Sequence, residues 1–292
     1  MARSDLIVRD LTAPAADGYT LSMRLISAID PTHAVLVTSG TGFPKGFYER
    51  FARHLAGRGA AVLTHDMRGV GGSRPEDLAA MRMTYEDWGR LDMPAALEAL
   101  IAEAPGVPVS HVGHSVGGHF AGFMPNHAKI GRHAFVAVGS GYWPKHPLSY
   151  NPVEVFFWWG YGPWSLARHG YIKGGNVWRG ADLPRGVFIP WRRWCHDPRY
   201  FGERLSSELK PNHFAEVTAP IRSWIFTDDP IANVRTGPDI LKVYPNTPSE
   251  LVVRKPADYG VARIGHEGAF RRGMEPVWDE IAGWLTGEVT RA

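Results

Sequence analysis

Val109-Ser110-His111-Val112-Gly113-His114-Ser115-Val116-Gly117-Gly118-His119 is the stretch whose reading decides the fold. A β-branched run enters it, Gly113 to Gly117 fits Gly-x-Ser-x-Gly, and a small-residue segment leaves it. Strand, sharp turn and helix in that order make a nucleophile elbow with Ser115 at the apex. The glycines two residues to either side let strand and helix approach closely. The hydroxyl is left exposed, and the helix behind it offers free N–H groups to a developing negative charge. The pattern alone is common, so its meaning depends on whether the chain supplies the partners.

Outward from the elbow, strands and helices alternate. Leu6 to Arg9 and Tyr19 to Ile26 read as a hairpin around Ala16-Asp17-Gly18. His33 to Thr38 is a continuous apolar strand, the kind buried on both faces. A helix is predicted over 46–58, with Gly59 closing it, then a strand over Ala60 to Thr64. Tyr85 to Ala104 is predicted as a long helix interrupted at Pro94. Val107 to Val112 feeds the elbow, Val116 to Lys129 is predicted as the helix leaving it, and His133 to Val138 is the next strand. This alternation implies right-handed crossovers and an α/β fold with a mostly parallel sheet covered by helices on both faces.

The pattern then breaks. Seven of the eleven tryptophans lie between Gly139 and Ala215, among many Gly and Pro. That segment is too apolar for disorder and reads as an inserted cap of short helices. The sheet resumes with Ile221 to Thr227, a helix near Pro238 to Val243, a strand at Leu251 to Arg254 and a closing helix over Met274 to Leu285. The expected organisation is a core over residues 1–139, an aromatic-rich cap over 140–215, and the rest of the core over 216–292.

Composition narrows the function classes. Hydrophobic content of 44% and charged content of 21% are those of a globular protein. The net charge of +3 comes without a Lys/Arg run, so nucleic acid is not an expected partner. Cys195 is the only cysteine, which excludes an internal disulfide. Residues Met1 to Thr20 carry Arg3, Asp5, Arg9, Asp10 and Asp17 and no apolar core of a signal peptide. With no long apolar run for membrane insertion, the expected location is the cytoplasm. Oligomeric state, monomer or homo-oligomer, is not written in these features.

A serine hydroxyl needs a base within hydrogen-bond reach, and the base needs an acid to orient it. In open α/β sheets such groups gather at the carboxyl ends of strands. Asp228 and Asp229 follow one late strand, and His266 follows the last. The order serine, acid, histidine is the one this type of elbow uses. Either aspartate can serve on placement alone. His111 and His114 have His-x-x-His spacing, but a strand and turn would not aim both at one metal, and no metal or other cofactor is expected. His65 and Asp66 read as structural, with Asp66 holding the glycine loop after it.

Several motifs together resemble the α/β-hydrolases. Asp66-Met67-Arg68-Gly69-Val70-Gly71-Gly72-Ser73 is similar to the family's Asp-x-Arg-Gly-x-Gly-x-Ser loop, and Asp229-Pro230-Ile231-Ala232 to its acid motif. Ile264-Gly265-His266 is similar to its histidine loop. Gly42-Phe43-Pro44 with Phe47-Tyr48, and Gly265 to Arg271, resemble a bacterial branch of serine hydrolases near monoacylglycerol lipase-like and aminopeptidase-like members. The resemblance implies Ser115 as nucleophile, His266 as base and Asp229, rather than Asp228, as acid. It implies oxyanion donors at the N–H of Val116 and at Thr41 or Gly40, with Thr41 preferred; Ser39-Gly40 stands where the family has His-Gly. The cap is expected to pack most of its rings and to turn two or three toward substrate, Trp143 and Trp159 among them, with His114 either on the pocket wall or a buried structural residue.

The implied function is a serine hydrolase acting on a small, apolar or aromatic carboxylic ester or thioester. Two other classes share the motifs: an acyltransferase with the same triad, and a non-catalytic ligand-binding protein on the same scaffold. A dinucleotide-binding oxidoreductase is excluded, because Gly40-Thr41-Gly42 followed by Gly46 has the wrong spacing. A dehalogenase would need aspartate at the apex, where Ser115 stands.

Overall fold

A computed structural model describes residues 6–287. Its centre is one eight-stranded sheet in the order β1-β2-β4-β3-β5-β6-β7-β8. The strands are β1 (Ile7–Pro14), β2 (Thr20–Ser27), β3 (His33–Thr38), β4 (Ala60–His65), β5 (Val109–His114), β6 (Arg132–Val136), β7 (Ile221–Phe226) and β8 (Ser249–Arg254). β2 pairs antiparallel with β1 and β4, and every other pair is parallel. β3 and β4 are buried almost throughout, as apolar runs between helix layers should be, and β5 is buried as fully although it carries Ser110, His111 and His114. Because the strands from β3 to β8 run parallel, their carboxyl ends share one edge of the sheet.

Helices cover both faces. On one lie α1 (Glu49–Ala56) and, at the chain's end, α8 (Glu275–Thr286), around Phe51, Trp224, Phe270 and Trp278. On the other lie α2 (Met93–Glu103) and the segment leaving the elbow, around Leu97, Leu100, Trp88, Phe120 and Phe135. The sequence predicts one long helix from Tyr85 with a break at Pro94. Instead a π-helical turn over Trp88–Asp92 leads into α2, and Pro94 sits in the first turn of α2, where its missing N–H costs nothing. The helix leaving the elbow is also shorter than expected. α3 covers only Val116–His119, and Phe120–Phe123 continues as a 3-10 turn. Gly117, Gly118 and Gly122 are poor helix formers, and each fits a close approach: a Cβ on Gly122 would lie 2.4 Å from the ring of Phe214.

Between β6 and β7 the chain leaves the sheet for α4 (Asn151–Val155), a π-helical turn at Phe156–Tyr161, α5 (Gly162–His169) and α6 (Arg185–Cys195). Their rings pack on one another: Trp158 and Trp191 meet edge to face at 4.8 Å, and Trp194 stacks on Tyr85 at 5.4 Å. A short α7 (Gly237–Leu241) follows β7. No helix among the described residues is long and apolar enough to cross a membrane.

Candidate active site

β5 lies between β3 and β6, buried along its whole length, and the elbow follows directly from its end. Ser115 sits at φ 50°, ψ −118°, in a region that non-glycine residues avoid. Such a conformation costs on the order of 1–3 kcal/mol and persists only where the surroundings enforce it. They do so here by closeness: a Cβ on Gly113 would lie 2.6 Å from Gly118 N, and one on Gly117 2.4 Å from Thr38 Oγ1. Only glycine fits at either position, so β5 and α3 meet and Ser115 takes the strain.

Two loops at the same edge bring the partners. His266 Nε2 lies 3.0 Å from Ser115 Oγ, and His266 Nδ1 lies 2.8 Å from Asp229 Oδ2. A carboxylate only accepts, so Nδ1 carries the proton and donates it to Asp229, and Nε2 accepts from the serine hydroxyl. The other oxygen of Asp229, Oδ1, accepts the N–H groups of Ile231 and Ala232 at 2.8 and 3.1 Å. Asp228 faces differently. Its Oδ2 accepts the N–H groups of Ile264 and Gly265 at 2.8 and 3.0 Å, which pins the loop carrying His266. The two neighbouring aspartates thus touch different parts of one loop. Burial opposes protonation of His266, but the charge and hydrogen bond of Asp229, with Glu267 nearby, outweigh it and hold its pKa above the ordinary histidine value.

Behind the serine, a second chain of hydrogen bonds ties three loops together. Gly40 N–H donates to Tyr48 Oη at 2.9 Å, Tyr48 O–H donates to His114 Nδ1 at 2.7 Å, and His114 Nε2–H donates to the carbonyl of His266 at 2.9 Å. Burial pushes the pKa of His114 down to about 3, so it stays neutral and keeps this tautomer. Of the two places the sequence leaves open for His114, pocket wall or buried structure, the structure takes the second and buries it completely behind the elbow. Tyr48 had no assigned part in the sequence reading, and its only signal is a tyrosine on the helical turn just after the Gly40 loop.

The same chain separates the two candidate donors after β3. The N–H of Gly40 is taken by Tyr48. The N–H groups of Thr41 and Val116 have no acceptor among the described residues, and both residues line the cavity beside Ser115. Asp66 holds its loop as expected, accepting the N–H groups of Lys45 and Gly72 at 2.6 and 2.8 Å.

Ser115 and His266 open into a cavity of about 820 Å³ at the carboxyl edge. Its aromatic lining includes Phe43, Tyr85, Phe157, Trp158, Trp178 and Trp191. Trp143 and Trp159, the rings expected to face substrate, are not in that lining. Trp159 is 60% exposed and lies under the Arg192 guanidinium, while its neighbour Trp158 turns inward. Both rings lie on the π-helical turn over Phe156–Tyr161, whose larger number of residues per turn moves successive side chains off α-helical positions. His111, far from sharing a metal with His114, bonds Thr38 Oγ1 and His133 inside the sheet. Among the described residues, one group brings metal-ligating types together, His127, His213 and Glu216, and it does not line the cavity.

This architecture recurs in solved structures. A soluble variant of the monoglyceride lipase from Saccharomyces cerevisiae, in complex with a substrate analog, superposes with a TM-score of 0.66 at 16% identity, over 100% of this chain and 97% of that one. A thermostable carboxyl esterase from Bacillus coagulans gives 0.65 at 15% identity, over 98% and 100%. The chain has the α/β-hydrolase fold. The family model described as serine aminopeptidase, S33, matches residues 29–167 of this chain, which takes in the β3 loop and the elbow. Human monoglyceride lipase is 34% identical over 109 residues, 36% of this chain and 34% of that protein. A monoglyceride lipase homolog of monkeypox virus is 32% identical over 89 residues, 30% of each. These alignments span about a third of the length of the curated relatives they match.

Proposed function

We propose that this α/β-hydrolase cleaves carboxylic esters or thioesters through an acyl-enzyme on Ser115. The observation that carries the proposal is the line of contacts Ser115 Oγ, His266 Nε2, His266 Nδ1, Asp229 Oδ2, at 3.0 and 2.8 Å. His266 takes the hydroxyl proton as Oγ attacks the carbonyl carbon. Asp229 keeps the imidazole in the accepting tautomer and stabilises the imidazolium that forms. The unpartnered N–H groups of Val116 and Thr41 bind the tetrahedral oxyanion, and removing one such donor typically costs about 3 kcal/mol of barrier. The C–O or C–S bond then breaks as His266 returns the proton to the leaving group. Water, deprotonated by the same histidine, adds to the acyl-enzyme and releases the acid and free Ser115.

The excursion between β6 and β7 acts as a cap whose inward rings hold the apolar part of the substrate. Similarity to monoglyceride lipases and carboxyl esterases favours ester over amide cleavage. The test is labelling by a fluorophosphonate and turnover of 4-nitrophenyl esters, with wild type against Ser115→Ala. Both signals should vanish in the variant. Ester turnover that survives Ser115→Ala, in folded protein, would remove the assignment. A wild type that neither labels nor turns over would favour ligand binding. Adding an alcohol or thiol acceptor and analysing the products separates hydrolysis from acyl transfer.

A further inference from the structure

The cavity is apolar inside and cationic at its opening. Tyr85, Trp158 and Cys195 of its wall are buried. Arg179, Arg263, Arg271 and Arg272 also line it, and all four are exposed. Two carboxylates share the lining, and both are engaged: Glu154 with His146 Nδ1 at 2.8 Å, and Glu267 with Arg271. Arg179, Arg263 and Arg272 have no carboxylate partner among the described residues.

Two of these arginines are located by residues next to the reacting centre. The Arg263 guanidinium folds over Gly265, with Nε 3.6 Å from where a Cβ on that residue would stand, one position before His266. Arg179 follows Trp178, whose indole lies against Gly42 of the β3 loop, and Ala181 N–H donates to the Gly42 carbonyl at 2.8 Å. Unpaired like charges around one opening repel each other, and an anion entering the site relieves that repulsion. A guanidinium also presents the paired donors that fit a carboxylate or phosphate.

We propose that the ester cleaved here carries an anionic group, held at the mouth by Arg179, Arg263 and Arg272, while its apolar portion occupies the aromatic interior. This rests on the hydrolase reading above and adds the substrate class. A carboxylate on the acyl chain and a phosphate on the leaving group share the needed chemistry. The field of the mouth also steers such a substrate inward, an effect that salt weakens.

The test uses two matched pairs on the full-length protein. Mono-4-nitrophenyl adipate against 4-nitrophenyl hexanoate places a carboxylate on the acyl arm. Hexanoyl-coenzyme A against hexanoyl-N-acetylcysteamine places phosphates on the leaving group. In at least one pair the anionic member should lead by about tenfold or more in kcat/KM at low salt, and the lead should shrink severalfold at high salt. The pair that shows it identifies the source of the charge. The triple variant Arg179→Gln, Arg263→Gln, Arg272→Gln should bring the ratio near one, and the corresponding triple Lys variant should keep most of it. If the triple Gln variant does not fold, Arg263→Gln alone should cut the ratio by about threefold. Ratios near one in both pairs, with the neutral esters turned over, would overturn the proposal and leave the hydrolase reading standing. So would anionic phospholipid vesicles that stimulate neutral-ester turnover without any such ratio, which would make the mouth a lipid-facing surface. Absence of all turnover and of Ser115 labelling would remove the hydrolase reading, and this proposal with it.

Discussion

Replacing Asp229 by Asn, beside the same change at Asp228, isolates the acid with the smallest change in shape. Asp229 is 2% exposed, and its Oδ2 is 2.8 Å from His266 Nδ1. When the imidazole takes the serine proton, a positive charge appears about 4 Å from the carboxylate charge. At an effective dielectric constant near 20, that pair is worth about 4 kcal/mol, or about three decades in rate. The amide adds a second loss. Its oxygen suits the N–H groups of Ile231 and Ala232, which leaves its NH2 facing His266 Nδ1. That forces the ring proton onto Nε2, where it faces Ser115 and cannot accept. The expected fall in kcat is therefore about 10³ to 10⁴. Asp228→Asn keeps an oxygen for Ile264 and Gly265 and should lower kcat by about tenfold at most. Its main cost is stability, about 1–2 kcal/mol from two charge-assisted bonds made neutral. Steady-state turnover of a 4-nitrophenyl ester, with urea melts alongside, measures both. A larger rate loss at Asp228 than at Asp229 would refute the reasoning and move the acid by one residue.

Four further outcomes follow from the same geometry. With a pKa raised above 6.5, His266 must lose its proton before it can act, so kcat/KM should rise with pH through a value above 6.5, and Asp229→Asn should move that value down. The protonated form stabilises the fold below pH 6.5, and this contribution is lost as pH rises through the higher folded value, so urea midpoints should fall slightly over that window. Tyr48→Phe strands Gly40 N–H and His114 Nδ1 in the interior and should cost about 1–3 kcal/mol, read as a lower melting midpoint. Gly42→Ala meets both a φ of 78° and Trp178 Cζ2 at 2.7 Å, so ester turnover should drop, and a wild-type rate would show that Trp178 gives way freely.

The sheet was legible because its strands are written as apolar runs ending in polar or glycine-rich loops. His33–Thr38 matches its observed bounds, and the others shift by a few residues. Ser115, His266 and the adjoining aspartates were readable for the same reason, since they stand where strands end. Two kinds of feature were not. The segment after the elbow reads as a helix by residue size, yet its glycines serve contacts with Thr38, Val138 and Phe214, which lie far off in sequence. The facing of the aromatic rings depends on pitch, and a π-helical turn leaves no residue signature that separates Trp158 from Trp159. Tyr48 was hidden because its partners, Gly40 and His114, meet only once β3 and β5 are paired.

The Ala181 N–H bond to the Gly42 carbonyl has a mechanical meaning. Gly42 is the next residue after Thr41, so the segment after Trp178 and the loop beside Ser115 are joined by one main-chain contact. A change of backbone position anywhere from Trp178 to Ala181 therefore reaches the main chain beside Ser115 without passing through a side chain.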